Sequence, residues 1–353
     1  MKALSLLASA CLVVALATAG TTARAAASGS KPFKHVIVFG DSLTDQGNTE
    51  AAYSFPPEPL YSQGRYSDNL NWVDILGQQL SVKIKNSVAQ GTNYAYAFAT
   101  TSVQDPPPPL PFTTQTIDFQ ESLYLSSVHG KADPKALYII EAGATDILGL
   151  LYQVQTDPLL ILFIPTLDLQ GTQNLTNETQ ALLKAGAEHV LVSNVPNLGL
   201  LPYITEQSGL GGILAPGVAT NAAQIWDSDL AQDMVPLTRS GKVILWDFYN
   251  TSALALKSAS KFGITNTTTE CVLGYGLDKN AKDKCSPSEE PKHAFFDQVH
   301  FTTGGYFGME QGAFCALGFT TEFGWSQKQC IVTQQSMDSY RDGRPILRGQ
   351  IRR

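Results

Sequence analysis

Four short apolar runs, separated by segments of helical periodicity, restrict the folds open to this chain more than any other feature. They are His35–Phe39, Ala136–Glu141, Val190–Asn194 and Val243–Asp247. Each is rich in β-branched or aromatic residues and only a few residues long, the signature of a buried strand. Asp68–Leu80, Ile117–Val128, Leu175–Ala187 and Ala219–Leu237 read as helices, with Ser252–Lys261 and Thr302–Ala313 following the last strand. This alternation predicts an α/β fold with a mostly parallel central sheet and helices on both faces.

The first run leads straight into Gly40-Asp41-Ser42. In an open α/β sheet, sites form outside the carboxyl ends of the strands, so Ser42 stands where chemistry is usually done. The same tripeptide also serves as a helix N-cap. A serine nucleophile needs a base, and histidine is the usual one near neutral pH. The chain has five histidines. His35 opens a strand and His189 precedes one, which places both at the end of the sheet opposite Ser42. His129 and His293 sit in polar stretches without supporting geometry. His300 has Asp297 three residues before it, within reach to orient the imidazole. The competing reading makes Asp297 and His300 cap and surface residues of the helix after Thr302.

Residues 1–25 read as a secretory signal: Lys2, an apolar core from Leu4 to Ala17, and Ala23-Arg24-Ala25 as the cleavage site. That core is too short to span a bilayer, and no later run is long enough, so a secreted, extracellular protein with no transmembrane segment is expected. Removing Lys2 and Arg24 leaves 22 of 24 basic residues against 31 acidic ones, and the net charge moves from −7 to −9. Such an acidic surface suits no nucleic-acid partner. Cys271, Cys285, Cys315 and Cys330 remain after the signal, and in an oxidising compartment they imply two disulfides. Nearest neighbours are the expected pairs. No Cys/His spacing fits a metal, so neither metal nor cofactor is expected. Asn174, Asn177, Asn250 and Asn266 head glycosylation sequons. Asp105–Pro111, with five prolines, reads as a polyproline-like surface loop. Leu159–Ile164 reads as core, with an acyl-pocket or lipid-contacting role as the alternative.

Several blocks together resemble the GDSL or SGNH hydrolases. Phe39-Gly-Asp-Ser-Leu-Thr-Asp-Gln-Gly-Asn48 matches the nucleophile block. Gly64-Arg-Tyr-Ser-Asp68 with Trp72, and Asn93-Tyr-Ala95, look like intervening segments. Gly143-Ala-Thr-Asp146 and Asp297-Gln-Val-His300 correspond to the later two blocks. The resemblance runs from about Phe39 to Tyr306 and implies a three-layer α/β/α sandwich occupying 26–330, with 331–353 as a polar, Arg-rich tail. It further implies Ser42 as nucleophile, His300 as base and Asp297 as its partner. The oxyanion hole would be formed by the Ser42 N–H, a second-block N–H at Ala97, and the side chain at Thr145. Two departures bear on that hole. Ala97-Phe98 replaces a pair of glycines, and Thr145 replaces an asparagine.

A serine esterase acting through an acyl-enzyme on a small ester, an acylated carbohydrate or a lipid is therefore expected, as a monomer. The alternatives are acyl transfer by the same residues, or a degenerate member that binds carbohydrate or lipid without turnover. No Gly-x-Ser-x-Gly elbow surrounds Ser42, unlike the α/β-hydrolase lipases.

Overall fold

Strands β1 (Val36–Gly40), β2 (Leu137–Glu141), β3 (Val190–Ser193) and β4 (Val243–Trp246) run parallel in the order β1-β2-β3-β4. Every residue of these strands is buried except Ile244, which is half-buried, because helices cover both faces. The computed structural model describes residues 32–102, 110–157, 159, 164–206 and 209–342. The signal segment, most of the proline tract, residues 160–163 of the apolar run and 343–353 lie outside the described residues.

The helices are α1 (Asn48–Tyr53), α2 (Trp72–Gln79), α3 (Ile117–Ser127), α4 (Ala144–Thr156), α5 (Ile164–Ala185), α6 (Pro202–Thr205), α7 (Gly209–Thr238), α8 (Phe248–Ser258), α9 (Thr303–Ala316) and α10 (Gln334–Asp342). On one side of the sheet α3, α4, α5 and α7 pack together; on the other, α9 packs against α2, α8 and β4. The result is the expected α/β sandwich. Asn93 extends the sheet beyond β1 through a parallel bridge to Val38.

A feature absent from the sequence reading is a second sheet, β5 (Asn266–Val272) parallel to β6 (His293–Asp297). Its register sets Val272 opposite Asp297, and the neighbouring Cys271 is bonded to Cys285. Cys315 is bonded to Cys330, so both nearest-neighbour pairs form.

The segment expected to begin a tail at residue 331 instead completes the domain. Val332 N–H donates to the Leu245 carbonyl at 2.9 Å and Ile331 bridges Trp246. Helix α10 packs on α7 and buries Tyr340, whose hydroxyl donates to Asp247 Oδ1 at 2.6 Å. Among the sequon asparagines, Asn177 is exposed on α5. The amide of Asn250 is engaged by Asp247 Oδ2 at 2.8 Å, that of Asn266 by Thr269 and that of Asn174 by Thr101.

Candidate active site

The carboxyl ends of β1 and β2 lie side by side, with Gly40 in register with Glu141. A Cβ on Gly40 would stand 2.8 Å from Thr44 Cβ and 3.0 Å from the Glu141 carbonyl, so glycine is needed for the close turn into Asp41-Ser42. Asp45 tightens the same loop by accepting the N–H groups of Gly47, Asn48 and Thr49. Asn48 and Asn93 then tie the loop to the bridge segment: Asn48 Nδ2 donates to the Asn93 and Ala95 carbonyls, and Asn93 Nδ2 to the Thr44 carbonyl. These links explain why polar residues of two separate sequence blocks are buried together.

His300 arrives from the opposite direction, on the loop between β6 and α9. Asp297 Oδ1 accepts the Val299 and His300 N–H groups at 2.8 and 2.7 Å, which folds the loop back on itself. Asp68 holds the following helix by accepting from Thr303 N–H at 2.6 Å. The outcome is a buried chain of contacts. His300 Nδ1 lies 2.9 and 2.8 Å from the two Asp297 oxygens, and His300 Nε2 lies 2.7 Å from Ser42 Oγ. Ser42 is 6% exposed, while Asp297 and His300 are fully buried. An ionised carboxylate only accepts, so Nδ1 carries the hydrogen and Nε2 is left to accept from the serine hydroxyl. Chemically, this arrangement can take the serine proton as the oxygen attacks a carbonyl carbon. The other histidines are not part of it. His189 meets the Phe33 ring edge-on and lines a separate surface hollow with Lys135, while His293 Nδ1 contacts the Thr269 carbonyl.

The expected oxyanion residues are placed differently. Ala97 N–H donates to Thr49 Oγ1 at 2.8 Å and is in reach of Asp45 Oδ2 at 3.3 Å, so it is already engaged away from Ser42. Thr145 lines the cavity beside Ser42, but its hydroxyl donates to Asp41 Oδ2 at 3.1 Å. A hydroxyl has one hydrogen, and here it is in use. The residue that sequence reasoning missed is Phe98. It lines the cavity with φ of 60°, a left-handed conformation in which glycine is the unstrained residue. The pair of glycines expected at Ala97-Phe98 was the available signal. Among the described residues, neither Phe98 N–H nor Ser42 N–H donates to another protein group.

Beneath Ser42, Asp41 and Glu141 form a buried carboxyl pair. Burial raises both carboxyls above the usual carboxylate range, and the neighbouring Asp41 charge pushes Glu141 up further. Asp41 is fixed by Leu43 N–H and the Thr145 hydroxyl; Glu141 is contacted by Thr44, itself an acceptor for Trp72 Nε1. Helix α4 begins at the cavity with Ala144 and Thr145, and its N-cap Gly143 supplies no side chain, so the positive end of the helix faces the serine.

The rest of the cavity wall is apolar: Leu148 and Tyr152 from α4, Leu198 and Leu201 after β3, then Tyr203, Tyr275, Val299 and Phe301. No helix among the described residues is long and apolar enough to cross a membrane.

The chain is 31% identical to a Lipase 1 of Photorhabdus luminescens over 56% of its own length but only 26% of that protein's. It is 23% identical to a phosphatidylcholine-sterol acyltransferase of Aeromonas hydrophila, over 79% of this chain and 78% of the relative. A GDSL esterase/lipase of Arabidopsis thaliana is 24% identical over 71% and 76% of the two chains. Residues 36–309, which include both sheets, the serine loop and the histidine loop, match the GDSL-like lipase/acylhydrolase family, and the chain belongs to that family of ester-bond hydrolases.

Proposed function

We propose that the protein is an exported serine esterase that cleaves esters of apolar acyl chains through an acyl-enzyme on Ser42. The observation that carries this reading is the 2.7 Å contact between Ser42 Oγ and His300 Nε2 at the floor of an apolar cavity. Ser42 attacks the ester carbonyl while His300 takes its proton, and Asp297 stabilises the resulting imidazolium. His300 then protonates the leaving alcohol. Water, activated by the same imidazole, releases the acid and restores the serine. The Ser42 and Phe98 N–H groups stand as the oxyanion donors, with the N-terminus of α4 adding to the local positive field. The two disulfides and the leading apolar segment favour export. The domain reaches at least to residue 342 in this reading, functions as a monomer, and carries glycan most readily at the exposed Asn177.

The apolar wall favours acyl chains over the acetyl groups of a polysaccharide. Each buried methylene adds about 0.8 kcal/mol, roughly fourfold in kcat/KM, until the wall is filled. A series of p-nitrophenyl esters from acetate to decanoate tests this, with Ser42→Ala as the control. A rise with chain length that disappears in the variant is expected. A preference for acetate would point to acylated carbohydrate instead. A second reading, binding without turnover, draws on the engagement of Ala97 N–H and the Thr145 hydroxyl elsewhere; complete absence of hydrolysis across the series would favour it. The Aeromonas relative is named for acyl transfer, and the same residues would serve that reaction if an alcohol replaced water as acceptor.

A further inference from the structure

We infer that Tyr61 is a positioning residue that holds the Asp297 carboxylate in the orientation His300 requires. Its hydroxyl donates to Asp297 Oδ2 at 2.7 Å, and the side chain is fully buried. The Asp297 oxygens have separate partners. Oδ1 accepts the Val299 and His300 backbone N–H groups, which belong to the loop that carries the histidine. Oδ2 accepts Tyr61, which comes from a segment 236 residues earlier in the chain. Fixing one oxygen leaves a carboxylate free to turn about its Cβ–Cγ bond; fixing both from different directions sets its plane.

Tyr61 is itself fixed. Its ring meets Phe296 edge-on at 5.2 Å and Tyr66 at 5.9 Å. The phenol stays neutral, because burial and the Asp297 charge raise it far above its ordinary range, so it can only donate to the carboxylate. It is not among the residues lining the cavity and therefore acts through Asp297 rather than on substrate.

The bond has an electrostatic consequence as well. A donor on Oδ2 draws negative charge away from the imidazole, which limits how strongly Asp297 favours the protonated histidine. The other titratable groups facing this pair are Asp41 beside Ser42, Tyr66 whose ring lies 4.8 Å from the imidazole, and Tyr306, which feels the Asp297 charge. Burial keeps both phenols neutral.

The inference rests on His300 being the base. Tyr61→Phe should lower kcat by roughly tenfold with KM unchanged, the loss expected for one hydrogen bond to a charged group. It should also move the acid limb of the kcat pH profile upward, a change that a purely structural role would not produce. A ring-fluorinated tyrosine placed at position 61 keeps the volume and strengthens the donor, so the limb should move the other way even if the phenylalanine variant folds poorly. Ser42→Ala is assayed in parallel. If Ser42→Ala is inactive but both Tyr61 variants keep the wild-type profile, the role of Tyr61 is overturned while the site stands. If Ser42→Ala remains active, the reading of the site itself fails.

Discussion

Thr145→Asn is expected to raise kcat on a short-chain ester by up to about 100-fold, with little change in KM. Thr145 lines the cavity beside Ser42, yet its single hydroxyl hydrogen is donated to Asp41 at 3.1 Å. An asparagine amide has two hydrogens and reaches one bond further. One can keep the contact with Asp41 while the other faces the developing oxyanion. Loss of one such donor costs about 100- to 1,000-fold in kcat where it has been measured, so gaining one in an unoptimised geometry sets the upper bound near the lower figure. The benefit falls in kcat because the oxyanion exists only after attack. The assay is steady-state hydrolysis of p-nitrophenyl acetate and butyrate by wild type and variant, with folding checked by circular dichroism. An unchanged or reduced kcat in a folded variant would refute the reasoning. It would mean that Thr145 already serves the oxyanion or that the wall requires its shape.

Two further substitutions probe what holds the site in place. Gly143→Ala should destabilise the fold by roughly 2–4 kcal/mol, because φ is 112° and the added Cβ would collide with the Trp226 ring; a denaturation midpoint equal to wild type would contradict this. Burial raises Glu310 from 4.5 to about 7. The folded protein therefore keeps that proton where the unfolded chain has released it. Its contribution is complete below about pH 4.5 and is lost as pH rises through 7, on the order of 3 kcal/mol in all. Glu310→Gln should remove that part of the decline between pH 5 and 8 in urea titrations, whereas an identical decline would place the effect elsewhere.

The central strands and the Ser42 and His300 loops are legible in the sequence because each is local. A run such as Val36-Ile-Val-Phe39 is buried on both faces and ends at a turn, and Asp297 and His300 are only three residues apart. What is not legible depends on distant partners. The N–H of Ala97 is engaged by Thr49, 48 residues earlier, and no local pattern announces that bond. Tyr61 lies still further from Asp297, in a segment without a recognisable motif. The strand Asn266–Val272 begins with four polar residues, half-buried or exposed, and is made a strand by pairing with β6 rather than by its own pattern. Helix α10 is mostly polar and docks through Tyr340, which reads as a tail until α7 and Asp247 supply its contacts.

Trapping the covalent intermediate tests the central claim most directly. Wild-type protein is mixed rapidly with p-nitrophenyl butyrate, quenched in acid within the first turnover and digested for peptide mass mapping. The account predicts one butyryl group per molecule, carried on Ser42, with a matching burst of p-nitrophenol, and no label in Ser42→Ala. Hydrolysis that proceeds with no acylated peptide, or with the acyl group on another residue, would contradict it.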